Sequence, residues 1–435
     1  MKFRSTLRRS PEVSLRDAVL RGSAPDGGLY MPVEMPRLPA DFFGRLRSLS
    51  FPELAREVGA LFLSDDIPPA ALTEIVTSAF DFPVPLVPLT ERLHILELFH
   101  GPTLAFKDFG ARFMARVMGY FVRESGQHLT VIAATSGDTG SAVAHAFLEV
   151  SGIRVVILYP AGRVSAAQEK QFTTLGQNIV ALEVAGSFDD CQRLAKQALV
   201  DSAVAQESTI TSANSINIAR LIPQMFYYFS ACSQLRDTAA PLVFSVPSGN
   251  LGNLTAGLFA KCVGLPVSQF IAATNTNDVV PEFLRSGKLI PRASRRTISN
   301  AMDVGNPSNF ARIIDLYDND LQAIRRDICG CSFSDEETLR VMHDVEQRQG
   351  YLLDPHTAVG VLGWESFVKQ NQASAQGIVL ATAHPAKFAE TVARATGLRP
   401  EMPERLASFL DRPKQSIPFP NRFSALQEFL LSSKT

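Results

Sequence analysis

No apolar run in this 435-residue chain reaches the roughly 18–20 residues that crossing a bilayer requires. Cysteine is scarce as well. The five present (Cys191, Cys232, Cys262, Cys329 and Cys331) are odd in number and scattered among apolar neighbours. That distribution argues against a disulfide framework and for reduced thiols in a cytoplasm. Cys329-Gly-Cys331 lacks the two-residue spacer of a redox or zinc pair, and His384 has no second histidine at metal spacing, so no metal is expected. Charge of one sign is also missing. A formal net charge of −1 gives no general attraction to nucleic acid or an anionic membrane, and neither is expected as a partner. An anionic ligand would have to be held by a local site.

Two further absences narrow the chemistry. Neither the P-loop nor the dinucleotide fingerprint occurs, which disfavours a nucleotide-dependent transferase. The first seventeen residues carry basic side chains with no apolar stretch behind them, unlike a secretory leader, and Glu12 and Asp17 come early for a mitochondrial one. No internal repeat or low-complexity segment stands out.

What is present is the composition of a globular protein, 46% apolar and 20% charged, long enough for two or three domains. Residues 1–90 read as short helical patterns, with periodicity around Asp41–Ser48 and Phe51–Ser64. The Pro-rich Phe80–Pro88 (FDFPVPLVP) leads out of them. Beyond residue 91 apolar runs of strand length alternate with amphipathic helical segments. The strands expected are Leu129–Ala134, Arg154–Tyr159, Asn178–Val184, Leu242–Val246, Phe270–Ala273 and Gly377–Ala381, the last clear one. Helices are expected at Thr139–Val150, near Ala166–Leu175, and from Ser187 or Phe188. Continuous apolar strands separated by helices predict an α/β fold with parallel sheets buried on both faces. The division expected is an N-terminal mainly helical domain (1–90), a catalytic region of two α/β lobes (91–395) and a C-terminal helical extension (396–435).

Ligands of such sheets bind in turns at the carboxyl ends of strands. Pro247–Asn253 (PSGNLGN) places two glycines and several backbone N–H groups at a helix start, which suits a phosphate, although ordinary turn chemistry would look the same. Thr135–Ser141 (TSGDTGS) could bind a carboxylate or second anion, or be a plain helix start capped by Ser136, Asp138 or Thr139. Lys107, between Phe106 and Phe109, sits in an apolar setting that would leave its amine neutral enough to attack an aldehyde. Alternatively it is a surface lysine paired with Asp108. In Ala381–Phe388 (ATAHPAKF), Thr382 ends a strand and could meet a ring nitrogen, while His384 and Lys387 also read as turn and surface residues.

Taken in order, Ala24–Pro32 (APDGGLYMP), Glu97–Phe113, Ala134–Phe147, Ser212–Gln224 (SANSINIARLIPQ), Val246–Gly257, Ser299–Phe310 (SNAMDVGNPSNF) and Ala381–Phe388 resemble the threonine synthases of the longer bacterial and fungal class. The resemblance covers nearly the whole chain. It implies a tryptophan-synthase-β type of fold with pyridoxal 5'-phosphate between two α/β domains. It implies further that Lys107 is the Schiff-base lysine, that Ser248, Gly249, Asn250, Leu251, Gly252 and Asn253 cradle the cofactor phosphate, and that Thr382 meets the pyridine nitrogen. The implied reaction converts O-phospho-L-homoserine and water to L-threonine and phosphate, the last step of threonine biosynthesis. Candidate substrate ligands are Ser136, Thr139, Ser215, Asn217, Arg220, Arg163 and Lys387.

Many relatives of this fold carry Asn where Asp138 stands. A carboxylate cannot donate a hydrogen bond to a ring oxygen, so Asp138 is given no contact with the ring. A dehydratase or phospho-lyase on the same fold, or a non-catalytic binding protein, are the competing readings. The segment Asp26–Tyr30 and the intact lysine, loop and threonine weigh against them. Whether the chain works as a monomer or a homodimer is left open. Lys107→Ala is expected to abolish both turnover and the covalent cofactor adduct, assayed by mass spectrometry after borohydride reduction; near-normal activity would refute the assignment.

Overall fold

The computed structural model describes residues 1–207, 209–235, 240–371 and 374–432. In chain order the strands are β1 (Phe3–Ser5), β2 (Tyr30–Pro32), β3 (Leu86–Pro88), β4 (Leu93–Glu97), β5 (Leu129–Ala134), β6 (Ile153–Pro160) and β7 (Ile179–Val184). Then follow β8 (Thr209–Ser212), β9 (Leu242–Pro247), β10 (Gln269–Thr274), β11 (Ile328–Ser332), β12 (Gln376–Ala381) and β13 (Ile417–Phe419). β1 and β2 pair antiparallel at the edge of an N-terminal unit whose bulk is helical, chiefly Leu15–Arg21, Phe51–Leu63 and Pro69–Ala79. The chain then builds two α/β lobes. One carries the sheet β11-β10-β9-β12-β4-β3, parallel except at the β3–β4 edge. The other carries the all-parallel sheet β13-β7-β6-β5-β8. Among the described residues, no helix is long and apolar enough to cross a membrane.

The strand positions follow from burial. β5, β9 and β12 are covered by helices on both faces and carry almost no polar side chains, so their apolar runs are continuous instead of alternating. Helix starts follow from capping. Ser187 and Asp190 form a capping box before Phe188–Val200, and Ser50 with Glu53 does the same before Phe51–Leu63. β13 departs from the expected pattern. The segment beyond residue 396 reads as helical, yet Ile417–Phe419 adds in parallel to β7. Three residues containing a proline are too short to show a strand period, and only the open edge of β7 makes them one.

One apolar cluster joins the N-terminal unit to both sheets. Its densest part surrounds Phe109, whose ring meets those of Phe51, Phe80 and Phe82 edge-on or tilted at 5.7, 5.9 and 5.0 Å. Such aromatic contacts add about 0.5–1.5 kcal/mol each beyond area burial. They clamp the first turn of the helix Lys107–Ser125 to the N-terminal unit. The helix Gly252–Val263 is seated as tightly. A Cβ on Gly257 would lie 2.6 Å from the Phe270 ring and 2.8 Å from that of Tyr228. Gly257→Ala is therefore expected to destabilise the fold by about 1–3 kcal/mol in urea denaturation, because both rings are buried and cannot retreat.

Candidate active site

The chain from β4 turns back through Gly101–Phe106, and this turn is stitched to the residues leaving β12. Phe106 donates its N–H to the Thr382 carbonyl at 2.9 Å, and His384 donates to Leu104 at 3.1 Å. Lys107 and Thr382 are thus brought together by backbone hydrogen bonds, although 275 residues separate them in sequence. Lys107 opens its helix. Its side chain keeps 17% of its surface open, enough for an aldehyde to reach the amine, and Nζ lies 5.1 Å from the Phe106 ring centroid.

Lys107 does not pair with Asp108. The Asp108 carboxylate is buried and accepts from the Thr103 backbone N–H at 2.9 Å and the Thr103 hydroxyl at 2.7 Å. The partner is Asp138, whose Oδ2 lies 3.6 Å from Lys107 Nζ. Asp138 also binds Lys387 Nζ at 2.6 Å and accepts from Gln168 Nε2 at 2.8 Å. Burial alone would push the Asp138 carboxyl up, but Lys387 and then Lys107 outweigh it and hold the group well below the usual carboxylate range. Burial pulls the Lys107 amine below the ordinary lysine range. Asp138 opposes that shift, whereas Lys387 and Arg220 reinforce it. Among the described residues Lys107 and Lys387 share Asp138, and Arg220 is a further buried cation whose field reaches Lys107, which gives the site a positive potential. An anionic ligand would neutralise it.

The turn after β9 holds a second set of donors. Among the described residues, no protein acceptor meets the backbone N–H groups of Gly249 through Asn253. A Cβ on Gly249 would lie 2.9 Å from Met302 Cα and 3.0 Å from the Ala301 carbonyl oxygen, so only glycine fits. Leu251 takes the left-handed conformation at φ 61°, which turns successive N–H groups inward ahead of the helix Gly252–Val263. Ser248 is tied to the strand end, its hydroxyl donating to Val246. The Asn253 side-chain oxygen accepts from Tyr227 at 2.6 Å and Tyr228 at 2.8 Å, while its buried Nδ2 meets no acceptor among the described residues. Asn250 donates to Ser215 Oγ at 2.6 Å and accepts from the Ser308 backbone at 2.6 Å.

The remaining candidates separate into groups. Thr135, not its neighbours, caps the helix Asp138–Phe147, accepting from Gly137 at 2.9 Å and Gly140 at 2.8 Å. This leaves the hydroxyls of exposed Ser136 and half-buried Thr139 free of protein partners among the described residues. Thr382 is buried, and its hydroxyl likewise bonds no protein group among them. Arg220 is buried, donates NH1 to the Ala213 carbonyl at 2.8 Å, and has a buried Nε without a partner. Burial pulls its pKa to about 10, against the pull of Asp108.

Three candidates are corrected by their surroundings. Asn217 is a helix cap, fully buried, its oxygen taken by Ala219 and its amide by Val19 and Ser212. Arg163 is exposed on the turn after β6, with no contact to the others among the described residues. Lys387 is no surface charge. Its ammonium is buried between Asp138 and the Thr103 carbonyl, so it acts through Asp138.

Sequence reading missed Asn309 and Arg312. Asn309 donates to the Asn250 carbonyl at 3.0 Å and accepts from Arg312 at 2.6 Å. Arg312 is fully buried without an acidic partner among the described residues, and also binds the carbonyls of Tyr30 and Ile216. Burial pulls its pKa to about 9. Asn309 lies within the segment Ser299–Phe310 that carries the family resemblance, whereas Arg312, on the helix it caps, gives no local signal.

The profile described as pyridoxal-phosphate dependent enzyme matches residues 81–383. Those of the threonine synthase N terminus and C-terminal part match residues 2–80 and 357–430. A threonine synthase of Serratia marcescens is 43% identical over 432 residues, spanning 99% of each chain. The chain belongs to the threonine synthase family. Solved family members agree in fold. The enzyme from Escherichia coli superposes with a TM-score of 0.92 at 41% identity over all of both chains. The PLP-bound enzyme from Brucella melitensis gives 0.93 at 37% identity over 99% of each.

The cofactor of this family fits the residues present. A largely desolvated lysine amine suits its aldehyde, and a free amide cradle at a helix start suits its phosphate. The threonine hydroxyl left unpaired suits its ring nitrogen. The charge cluster makes a signed expectation. Lys387→Met removes one cation facing Lys107 and leaves Asp138 to Lys107 alone. Both changes favour the protonated amine. The pH midpoint for reaction of the cofactor-free protein with pyridoxal phosphate, trapped by borohydride, should move upward; an unchanged or lower midpoint would contradict this.

Proposed function

We propose that this chain converts O-phospho-L-homoserine and water to L-threonine and phosphate. In this reading Lys107 holds pyridoxal phosphate, the loop Ser248–Asn253 binds its phosphate, and Thr382 meets its ring nitrogen. What supports the reading is that a desolvated Lys107 beside Asp138 and Lys387, and the loop whose backbone N–H groups meet no protein acceptor among the described residues, both stand at carboxyl ends of strands. Bound there, the cofactor supplies an electron sink for negative charge developing on the amino acid. The protein supplies position and timed proton transfers.

With the cofactor bound, the Lys107 amine would be the base for the α-proton and, by reach, for the β-proton. Lys387 and Arg220 favour its neutral form, and Asp138 limits how far that goes. A neutral Thr382 hydroxyl facing the ring nitrogen would leave it less cationic than a carboxylate partner, which would temper the sink. Arg220, with its unpartnered Nε, and the Ser136 and Thr139 hydroxyls at a helix start provide donors for the substrate's anionic groups. Ser215 braces the cofactor loop through Asn250. The five cysteines are free thiols, two buried and three half-buried, which suits an enzyme of the cytoplasm.

The holoenzyme incubated with O-phosphohomoserine should release phosphate and threonine in equal amounts. Phosphate accompanied by 2-oxobutyrate in place of threonine would overturn the reading. Arg220→Gln should raise KM for this substrate by about tenfold or more while the protein still takes up pyridoxal phosphate on Lys107; an unchanged KM would remove Arg220 from substrate binding.

A further inference from the structure

The cofactor loop lies on a wall of backbone. Gly249 approaches Met302 Cα and the Ala301 carbonyl so closely that a methyl group would not fit between them. The wall belongs to the short helix Asn300–Met302, and its place decides where the loop amides sit. One side of it is held by Asp303, Asn275 and Thr297, with Asp303 accepting from the Thr297 hydroxyl at 2.7 Å and from Asn275 Nδ2 at 2.9 Å. The other side is held by an imidazole. The Ala301 N–H meets His356 Nε2 at 3.2 Å.

That contact assigns the tautomer. A backbone N–H can only donate, so Nε2 must accept and the ring proton must sit on Nδ1. Nδ1 faces Asp354 Oδ1 at 2.8 Å and donates to it. Asp354 is fixed in turn by the backbone N–H groups of His356 at 2.9 Å and Thr357 at 3.3 Å, at the start of the helix Pro355–Asn371. His356 and Asp354 are 2% and 1% exposed, and the ring packs against Phe388 at 5.0 Å. An aspartate orienting a histidine is the arrangement that sets up a general base. Here the acceptor nitrogen is spent on a main-chain amide, so the pair works as a strut.

We infer that His356, held in one tautomer by Asp354, is a positioning residue for the cofactor's phosphate: it fixes Ala301 and so the wall on which the loop Ser248–Asn253 rests. The inference depends on that loop being the phosphate site. It follows that an acceptor at the Nε2 position matters and an imidazole as such does not. Gln at 356 can place its Oε1 close to Nε2. Asn keeps a donor toward Asp354 but falls short of Ala301, leaving a buried N–H without a partner.

The test titrates cofactor-free protein with pyridoxal phosphate and, separately, with pyridoxal, which lacks the phosphate. His356→Asn should weaken pyridoxal phosphate binding by about tenfold and pyridoxal binding by less than about twofold, while His356→Gln stays within about threefold of the parent for both. Unchanged pyridoxal phosphate binding by His356→Asn, equal loss of both ligands, or His356→Gln as weak as His356→Asn would overturn the inference. Gly249→Ala separates the two assignments. If it weakens pyridoxal phosphate binding and His356→Asn does not, only the strut fails; if neither does, the loop assignment fails with it. In the parent chain, where misfolding is no concern, pyridoxal phosphate but not pyridoxal should slow hydrogen exchange of the Ala301 amide, and equal exchange with both ligands would also overturn the inference.

Discussion

Asp138 is a buried carboxylate between two lysine ammonium groups, and much of the site's geometry answers to it. An isolated buried charge is costly enough that the chain must pair it or neutralise it. Lys107 arrives from the turn after β4, Asp138 from the turn after β5, and Lys387 from the segment after β12. Satisfying one carboxylate therefore ties the carboxyl ends of both sheets to each other. Gln168 and the Thr103 carbonyl complete the arrangement from the helix after β6 and from the Lys107 turn itself. The Lys107 amine is left less basic than an ordinary lysine, yet open enough to be reached.

The amide cradle after β9 follows the opposite logic. Its donors carry no charge and gain their effect by being left unsatisfied in one place, so the loop must be held rigidly from behind. Asn309 and Arg312 hold it on one side, Tyr227 and Tyr228 through Asn253 on another, and the Ala301–Met302 backbone on a third. Arg312 is instructive because it has no acidic partner among the described residues. It spends its donors on carbonyls of Tyr30 and Ile216 and on the Asn309 side chain, so one guanidinium joins the N-terminal unit, the segment before Arg220 and, through Asn309, the loop 248–253. An ion pair with a carboxylate would have cancelled the positive potential that this region offers an anion.

Sequence reading was strong where the physics is local. β5, β7 and β9 fall where continuous apolar runs placed them, within a residue or so, because burial on both faces writes itself into every position of such strands. The glycines and small polar residues of 248–253 marked a tight turn ahead of a helix, and the structure has one there, with Leu251 in the left-handed conformation. Lys107 was singled out by its flanking phenylalanines and the family resemblance together, and the alternative of a surface pair with Asp108 is not what the structure shows. Asp108 is adjacent in sequence but points into a pocket formed by Thr103, which no pattern announces. Asn217 stood among the candidate substrate ligands, whereas its side chain does the work of a helix cap.

By itself, then, the sequence determined the α/β class and the two glycine-containing turns at helix starts, since these depend on residue identity and on spacings shorter than one element. Tertiary structure alone decided which charges face one another, that Lys387 is an internal cation, that Arg163 stands apart, that Ile417–Phe419 is a strand, and that His356 reaches Ala301. The physical reason is that pairing and desolvation are set by distances between segments tens to hundreds of residues apart. Those distances exist only once the two sheets have been packed around a common core.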